Sequence, residues 1–173
     1  MQTASQGLLF DWGDTLMRNY PAYSGAMADW PQVACLPYTL ETLSALHKDW
    51  IIALATNAAD SNEEQIWSAL RRVGLEAMID RVFCSQQLGL QKPDPAYFAA
   101  VLERLRLPRS SVIMIGDDFK EDVNGALQSG LRSIWLNEKS AERRNGPGFT
   151  TIHSLLELPS ALVGLGQGEC GSV

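Results

Sequence analysis

The sequence contains few cysteines and no apolar run long enough to cross a bilayer. Its three cysteines, Cys35, Cys84 and Cys170, are far apart and odd in number. This spacing argues against a disulfide framework or a zinc site and favours a reducing compartment. Uninterrupted apolar stretches stay well below the roughly 20 residues that span a membrane, and residues 1–6 lack the apolar core of a signal peptide. We therefore expect a cytoplasmic protein that does not associate with membranes.

Basic residues are also scarce relative to acidic ones. Fourteen lysines and arginines stand against 20 aspartates and glutamates, which gives a formal net charge of -6. Nucleic-acid binding is not expected, because the chain offers no basic face to neutralise a phosphate backbone. A phosphorylated small molecule or a phosphoprotein is compatible with this charge.

Short apolar runs alternate with amphipathic segments along the 173 residues. The apolar runs predict strands of a parallel sheet at 8–12, 50–55, 81–85, 112–115, 132–136 and, as an edge strand, 149–152. Helices are predicted at 38–49, 61–74 (with Ser61 as N-cap), 94–107 (capped by Asp94), 120–129 and 154–163. The alternation predicts an α/β fold, a doubly wound, three-layer parallel sheet. We expect one core domain over residues 1–163 and a disordered, glycine-rich tail over 164–173.

The segment 17–37 does not fit this alternation. Four helix or strand breakers, Pro21, Gly25, Pro31 and Pro37, interrupt it, and it carries three aromatic residues, Tyr20, Tyr23 and Trp30. One interpretation is a loop that packs over the sheet. The other is a lid whose aromatic residues surround the mouth of a site.

Polar residues follow the predicted strands at the edge where open α/β sheets place their chemistry. Asp11 ends the first strand and is a candidate nucleophile, because a carboxylate can attack phosphorus and form an acyl phosphate. Asp117 and Asp122 follow the fourth strand. Together with Asp11 they offer oxygen ligands that suit Mg²⁺. The alternative for all three is the capping of turns and helix starts. We give this interpretation to Asp118 and Glu121, as solvent-facing acids at a helix start.

Three further residues are candidates for phosphate binding. Thr56 and Asn57 bring a hydroxyl, an amide and backbone N–H groups to the end of the second strand. Lys92 precedes Pro93, which favours an extended backbone, and it can reach a phosphate as a point charge or offset repulsion from Asp11. The alternative for Thr56 and Asn57 is an ordinary polar strand end, and the alternative for Lys92 is a solvated surface lysine. His47 and His153 lie far from the strand ends and are assigned to the surface.

Taken together, these stretches resemble the four motifs of the haloacid dehalogenase-like (HAD) hydrolase superfamily over residues 7–163. The matching stretches are LLFDWGDTL (8–16), LATN (54–57), KPDPAYF (92–98) and IGDDFKED (115–122). The resemblance implies a Mg²⁺-dependent phosphatase-type hydrolase that forms an aspartyl phosphate on Asp11. Thr56 and Lys92 would bind the phosphoryl group. Asp11, Asp117 and the carbonyl of Gly13 would hold the metal, with Asp122 supporting it or its waters.

The first motif departs from the family pattern. The family has a second Asp two positions after the nucleophile and then Gly, whereas here Gly13 precedes Asp14. Gly13 can still offer a backbone carbonyl to a metal, but it cannot protonate a leaving group. Losing a general acid–base group costs about 10²–10⁴ in rate. Asp14 replaces it only if the turn is rearranged. Phosphonate-cleaving members carry Ala there with a cap lysine, and dehalogenating members carry an aromatic residue and need no metal.

The spacing of the motifs leaves little room for a cap domain. In the superfamily, capless members often act on macromolecules or acquire a lid by forming oligomers, so an oligomer is compatible with this sequence. Two alternatives to a Mg²⁺-dependent phosphatase stay open. One is a weakly active or non-catalytic protein that binds a phosphorylated ligand or partner. The other is a phosphoacceptor signalling domain, which also has an acceptor Asp on a doubly wound sheet.

Overall fold

A computed structural model describes residues 5–167 of the chain. Six parallel strands form one sheet in the order β3-β2-β1-β4-β5-β6. The strands are β1 (Gly7–Phe10), β2 (Ile51–Thr56), β3 (Arg81–Cys84), β4 (Val112–Gly116), β5 (Arg132–Leu136) and β6 (Phe149–Ile152). The chain passes to one side of β1 and then to the other, and this reversal opens a crevice beside the end of β1. The predicted doubly wound sheet is confirmed.

Helices cover both faces of the sheet, which makes the expected three layers. They are α1 (Thr39–Leu46), α2 (Glu63–Arg72), α3 (Ser85–Leu88), α4 (Pro95–Leu105), α5 (Gly125–Gln128) and α6 (Leu158–Gln167). Short 3₁₀ turns lie at Met27–Asp29, Glu76–Met78, Arg109–Ser111 and Leu155–Glu157, and a π-helical segment, Phe119–Asn124, precedes α5.

Alternate residues of β1 supply two separate cores. Leu8 and Phe10 pack with the helices α1, α2 and α6 on one face, whereas Leu9 packs with α4 and α5 on the other. All three side chains are fully buried. A strand buried on both faces reads as a continuous apolar run, which is why β1 could be predicted from composition.

Most predicted boundaries hold within a few residues, and the differences have local causes. Helix α2 is capped by Asn62 rather than Ser61, because Asn62 and Gln65 satisfy each other's backbone N–H groups in a capping box. The predicted loop 86–92 begins as the single helical turn α3. The helix predicted at 120–129 starts as the π-helical segment. Asp94 caps α4, as predicted, by accepting a hydrogen bond from the Ala96 N–H.

The C-terminal helix is longer than predicted. Helix α6 continues to Gln167, so residues 164–167, assigned above to the tail, are helical. The rest of the predicted tail, residues 168–173, lies outside the described residues, and so does Cys170. Among residues 5–167, none of the helices combines the length and apolar character that a membrane span requires.

The segment between β1 and α1 is held by backbone hydrogen bonds rather than folded as a separate cap. Arg18 N–H donates to the Ala34 carbonyl and Leu36 N–H to the Leu16 carbonyl, at 2.8 and 2.9 Å. Arg72 on α2 donates to the carbonyls of Ala28 and Trp30. The segment is therefore fastened at both ends and in its middle.

Candidate active site

Three strand ends meet at one edge of the sheet. Phe10 at the end of β1 is in register with Leu54 on β2 and Ile115 on β4, so the residues that follow lie side by side. The Asp11 N–H donates to the Ile115 carbonyl at 2.9 Å, which fixes the first residue after β1. A cleft of about 450 Å³ opens here. Its lining includes seven of the eight predicted site residues, all except Lys92.

Lys92 lies behind Asp11 as a buried cation. Its Nζ donates to Asp11 Oδ1 at 2.8 Å and to Asp122 Oδ1 at 2.6 Å, and its side chain is fully buried. Burial alone would lower the pKa of Lys92, but the two carboxylates raise it above its usual value and keep the ammonium charged. Lys92 therefore orients Asp11 and offsets its charge. The alternative interpretation of Lys92 as a solvated surface lysine is excluded.

Asp122 is held just as firmly on its other side. Its Oδ2 accepts the Asp118 N–H at 3.0 Å. The carboxylate packs so closely on Gly116 that a Cβ at this position would overlap it. Burial raises the pKa of Asp122, and the Lys92 ammonium opposes that rise. Because both carboxylate oxygens are already engaged, Asp122 is better suited to support a metal site than to bind a cation directly.

The cleft contains a cluster of carboxylates that fits a divalent cation. Asp11, Asp117 and Asp122 each place one oxygen within 4.8 Å of the others. Burial raises the pKa of Asp117 to about 6, although a hydrogen bond from Lys139 acts in the opposite direction. Crowded, partly buried carboxylates repel one another unless a cation lies between them. An open set of oxygen donors suits Mg²⁺ better than zinc or copper.

The turn after Asp11 carries the glycine and the aspartate in the reverse of the family order. Asp14 has φ of 56°, in the left-handed region that favours glycine, whereas Gly13 does not require a positive φ. A Cβ at Gly13 would meet only ordinary contacts with Asn19. The Asp14 carboxylate accepts the Asn19 N–H and pairs with Lys139, both at 3.0 Å. Asp14 lines the cleft, but these two contacts anchor it.

Two residues that sequence reasoning missed fasten Asp117. Lys139 donates to Asp117 Oδ2 at 2.9 Å and so bridges Asp117 to Asp14. The Trp135 indole N–H donates to the Asp117 backbone carbonyl at 2.9 Å. Lys139 was predicted to lie on a charged surface loop, and Trp135 within a buried strand. Neither residue belongs to a motif. They reach the site because β5 pairs with β4.

The side chains of Asn57 and Thr56 differ in how they are used. Asn57 donates to the Lys92 carbonyl and accepts the Lys92 N–H, both at 2.8 Å, and also donates to Glu121 at 2.9 Å. Its amide therefore positions the lysine segment, and Glu121 is half-buried rather than the solvent-facing acid predicted above. The Thr56 hydroxyl accepts the Ala58 N–H at 3.1 Å and keeps its own proton to donate. Asp118 caps the π-helical segment, as predicted.

The loop 17–37 forms one wall of the cleft. Met27 and Trp30 line it, whereas Tyr20 and Tyr23 pack behind Trp30, with ring centroids 6.4 and 5.6 Å from it. Both earlier interpretations of this segment therefore hold in part. His47 contacts Asp80, and His153 contacts the Asn137 carbonyl. Within the described residues, neither histidine belongs to the cleft lining.

With this geometry in view, comparison with known proteins assigns the family. The family model described as haloacid dehalogenase-like hydrolase matches residues 8–136, from β1 to the end of β5. The chain belongs to this hydrolase family. The matched region contains every predicted site residue, so the HAD resemblance derived from the four motifs is confirmed.

Curated HAD relatives include enzymes named for phosphorylated small molecules. Pyrimidine 5'-nucleotidase YjjG of Escherichia coli (strain K12) is 33% identical over 129 residues, 73% of this chain and 56% of that protein. A glyceraldehyde 3-phosphate phosphatase of Methanothermobacter thermautotrophicus is 29% identical over 133 residues, 73% of this chain and 58% of that protein. The chain thus spans a little over half the length of these relatives.

A solved structure matches almost the whole chain. An uncharacterised protein from Listeria monocytogenes serotype 4b superposes with a TM-score of 0.81 at 26% identity. The match covers 94% of this chain and 99% of that one. The compact architecture with little or no cap is therefore shared with another protein.

Proposed function

We propose that this protein is a Mg²⁺-dependent phosphomonoester hydrolase that acts through an aspartyl phosphate on Asp11. One observation carries the proposal: Asp11 lies at the cleft with a buried ammonium behind it and a carboxylate cluster beside it. Family membership and the phosphatase names of the relatives support the same reaction class.

The proposed reaction has two displacements at phosphorus. An Asp11 carboxylate oxygen attacks, the phosphorus–oxygen bond to the leaving group breaks, and an acyl phosphate forms. Water then attacks the phosphorus, the Asp11–phosphorus bond breaks, and inorganic phosphate departs. Lys92 keeps Asp11 in its attacking orientation and reduces repulsion with the incoming dianion. The Thr56 hydroxyl and the backbone N–H groups at 57–58 bind phosphoryl oxygens, since the Asn57 amide is engaged elsewhere.

Asp11, Asp117 and the Gly13 carbonyl would hold Mg²⁺, while Asp122 supports the arrangement through Lys92 and the Asp118 N–H. When bound, the ion supplies charge stabilisation for the phosphoryl oxygens. Lys139 already bridges Asp117 and Asp14 and keeps the Asp117 carboxylate turned towards the cleft.

Beyond the nucleophile, the first motif lacks a free acidic side chain to protonate the leaving group. Gly13 has no side chain, and Asp14 is anchored by Asn19 and Lys139. This observation favours one alternative function, a weakly active or non-catalytic protein that binds a phosphorylated ligand.

Hydrolysis of p-nitrophenyl phosphate, with and without Mg²⁺, by wild type and Asp11→Asn tests the proposal. We expect turnover that requires both Mg²⁺ and Asp11. Equal rates for the two proteins would remove Asp11 as nucleophile. Phosphate binding without turnover would support the alternative, and metal-independent release of chloride from 2-chloropropionate would assign dehalogenation instead.

A further inference from the structure

We propose that the cleft selects phosphate monoesters of phenols, with the aryl group lying against a wall formed by Met27 and Trp30. This inference rests on the proposed phosphatase function and assigns its substrate class. Both residues line the cleft that contains Asp11, although they are only 5% and 8% exposed. Nearly buried apolar side chains at the edge of a polar site form a surface that planar apolar groups cover favourably.

The wall is rigid enough to act as a fixed binding surface. The Trp30 indole N–H donates to the Gly25 carbonyl at 3.1 Å, and Arg72 holds the Trp30 carbonyl at 2.8 Å. Tyr20 and Tyr23 each make an edge-on ring contact with Trp30, and their own two rings contact each other in a tilted arrangement. A surface restrained in this way loses little side-chain entropy when a ligand binds.

Charge in the cleft excludes substrates with further anionic groups. The lining includes five carboxylates besides Asp11 and Asp122, namely Asp14, Asp60, Asp117, Asp118 and Glu121. Among the described lining residues, Lys139 is the one cation, and it is already paired with Asp14 and Asp117. A second phosphate or a carboxylate on the leaving group would be repelled. A single phosphate on an uncharged or cationic aryl group is therefore preferred.

The chemistry of the first motif points to the same class. A phenolate with a pKa of about 10, like that of tyrosine, leaves without a general acid. An alkoxide is far more basic than a phenolate, so it needs a proton in the transition state. A site with Gly13 and an anchored Asp14 therefore loses much less rate on aryl esters than on alkyl esters.

Binding selectivity can be measured without turnover, because phosphonates keep their carbon–phosphorus bond. Calorimetric titration of the wild-type protein in Mg²⁺ would compare phenylphosphonate with methylphosphonate. We expect the phenyl compound to bind about tenfold more tightly, as follows from burying about 60 Å² of additional apolar surface. Equal affinities would overturn the proposed aryl-binding wall. Because only the wild-type protein is used, this test does not depend on whether a variant folds.

Variants then localise the preference. Trp30→Ala should reduce the phenyl-to-methyl affinity ratio at least severalfold. Trp67→Ala is the matched control, because Trp67 lies on α2 and lines a different groove with Glu63 and Arg71. This substitution should leave the phenyl-to-methyl affinity ratio unchanged. If Trp30→Ala does not fold, Met27→Ala replaces it. An unchanged ratio in a folded wall variant would show that the cluster only supports the loop.

Phenyl, benzyl and glycerol phosphates separate the wall from the leaving group. We expect phenyl and benzyl phosphates to share a low KM, phenyl phosphate to have a much higher kcat, and glycerol phosphate to have a high KM. Similar KM and kcat for all three would reject aryl selectivity while leaving the phosphatase proposal intact. If none is hydrolysed, the proposed function fails, and the phosphonate titration still decides whether the wall binds aryl groups.

Discussion

At the scale of single residues, the site depends on one buried ammonium. Lys92 is enclosed by Asp11, Asp122 and the backbone that Asn57 holds. Placing a charge in the interior is costly, and only paired carboxylates compensate for it. The same arrangement that presents Asp11 to the cleft thus stabilises the folded chain.

Replacing this lysine should therefore destabilise the protein as well as inactivate it. We expect Lys92→Met to lower the free energy of unfolding by about 3–5 kcal/mol, because two carboxylates lose their buried partner. Urea unfolding followed by circular dichroism measures the change. Lys120→Met, at an exposed lysine, is the control and should alter stability by less than about 0.5 kcal/mol. Equal effects of the two substitutions would contradict the proposed role of Lys92.

A second residue prediction concerns the missing acid. Gly13 has an ordinary φ and open space for a Cβ, so Gly13→Asp should fold and direct a carboxylate towards the leaving group. We expect kcat for benzyl phosphate to rise about 10²–10⁴-fold and kcat for phenyl phosphate to rise much less. Gly13→Asn, which adds similar bulk without an acid, should give neither gain. A similar gain with Asn would show that shape rather than proton transfer limits the rate.

The site residues that could be predicted from the sequence are those at the ends of strands. Asp11, Thr56 and Asp117 could be predicted because each directly follows an apolar run of a parallel sheet. Lys139 and Trp135 could not, since their roles depend on β5 lying beside β4 and on the path of a loop. The Asn57 amide was assigned to phosphate binding, but a contact with Lys92, 35 residues away along the chain, engages it.

At the scale of elements, the segment after β4 shows how backbone geometry serves the site. Asp118 caps the π-helical segment, and Asp122 turns back over Gly116 to meet Lys92. Periodicity indicated a helix here but not its π-helical start, because apolar spacing does not report hydrogen-bond register. The cap of α2 was misplaced by one residue for a similar reason: Ser61 and Asn62 are both good caps by type.

The close contact at Gly116 provides a test at this scale. Gly116→Ala should lower the free energy of unfolding by about 1–3 kcal/mol, because the new methyl group would overlap the Asp122 carboxylate. Gly164→Ala in α6, where no atom lies near the added Cβ, should instead stabilise the protein by about 0.5–1 kcal/mol. Urea unfolding of both variants gives the comparison. Tolerance of alanine at 116 would contradict the described packing of Asp122.

At the scale of the whole molecule, the compact HAD core leaves its site open. The chain joins β1 to β2 through one fastened loop and α1, so its cleft is walled on one side rather than enclosed by a cap. The doubly wound parallel sheet and its three layers could be predicted from the alternation of patterns. The choice between a loop packed over the sheet and a lid at the site could not be made, because residues 17–37 carry no period that fixes where aromatic side chains point.

Metal binding should raise the free energy of unfolding of the whole domain. A ligand that binds only the folded state at a hundred times its Kd stabilises by about 2.7 kcal/mol. We expect Mg²⁺ to raise the free energy of unfolding of wild type in this way and to have little effect on Asp117→Asn. Asp49→Asn, at an exposed aspartate beyond α1, should retain the full increment. An undiminished increment in Asp117→Asn would place the ion elsewhere.

The most direct test is to trap the phosphorylated enzyme. Wild type would be mixed with phenyl phosphate and Mg²⁺, quenched in acid within the first turnovers and digested for mass spectrometry. We expect one added phosphoryl group on the peptide that contains Asp11, and none on that peptide in Asp11→Asn. Phenyl phosphate hydrolysis with the phosphoryl group on another residue, or at an undiminished rate in Asp11→Asn, would contradict it.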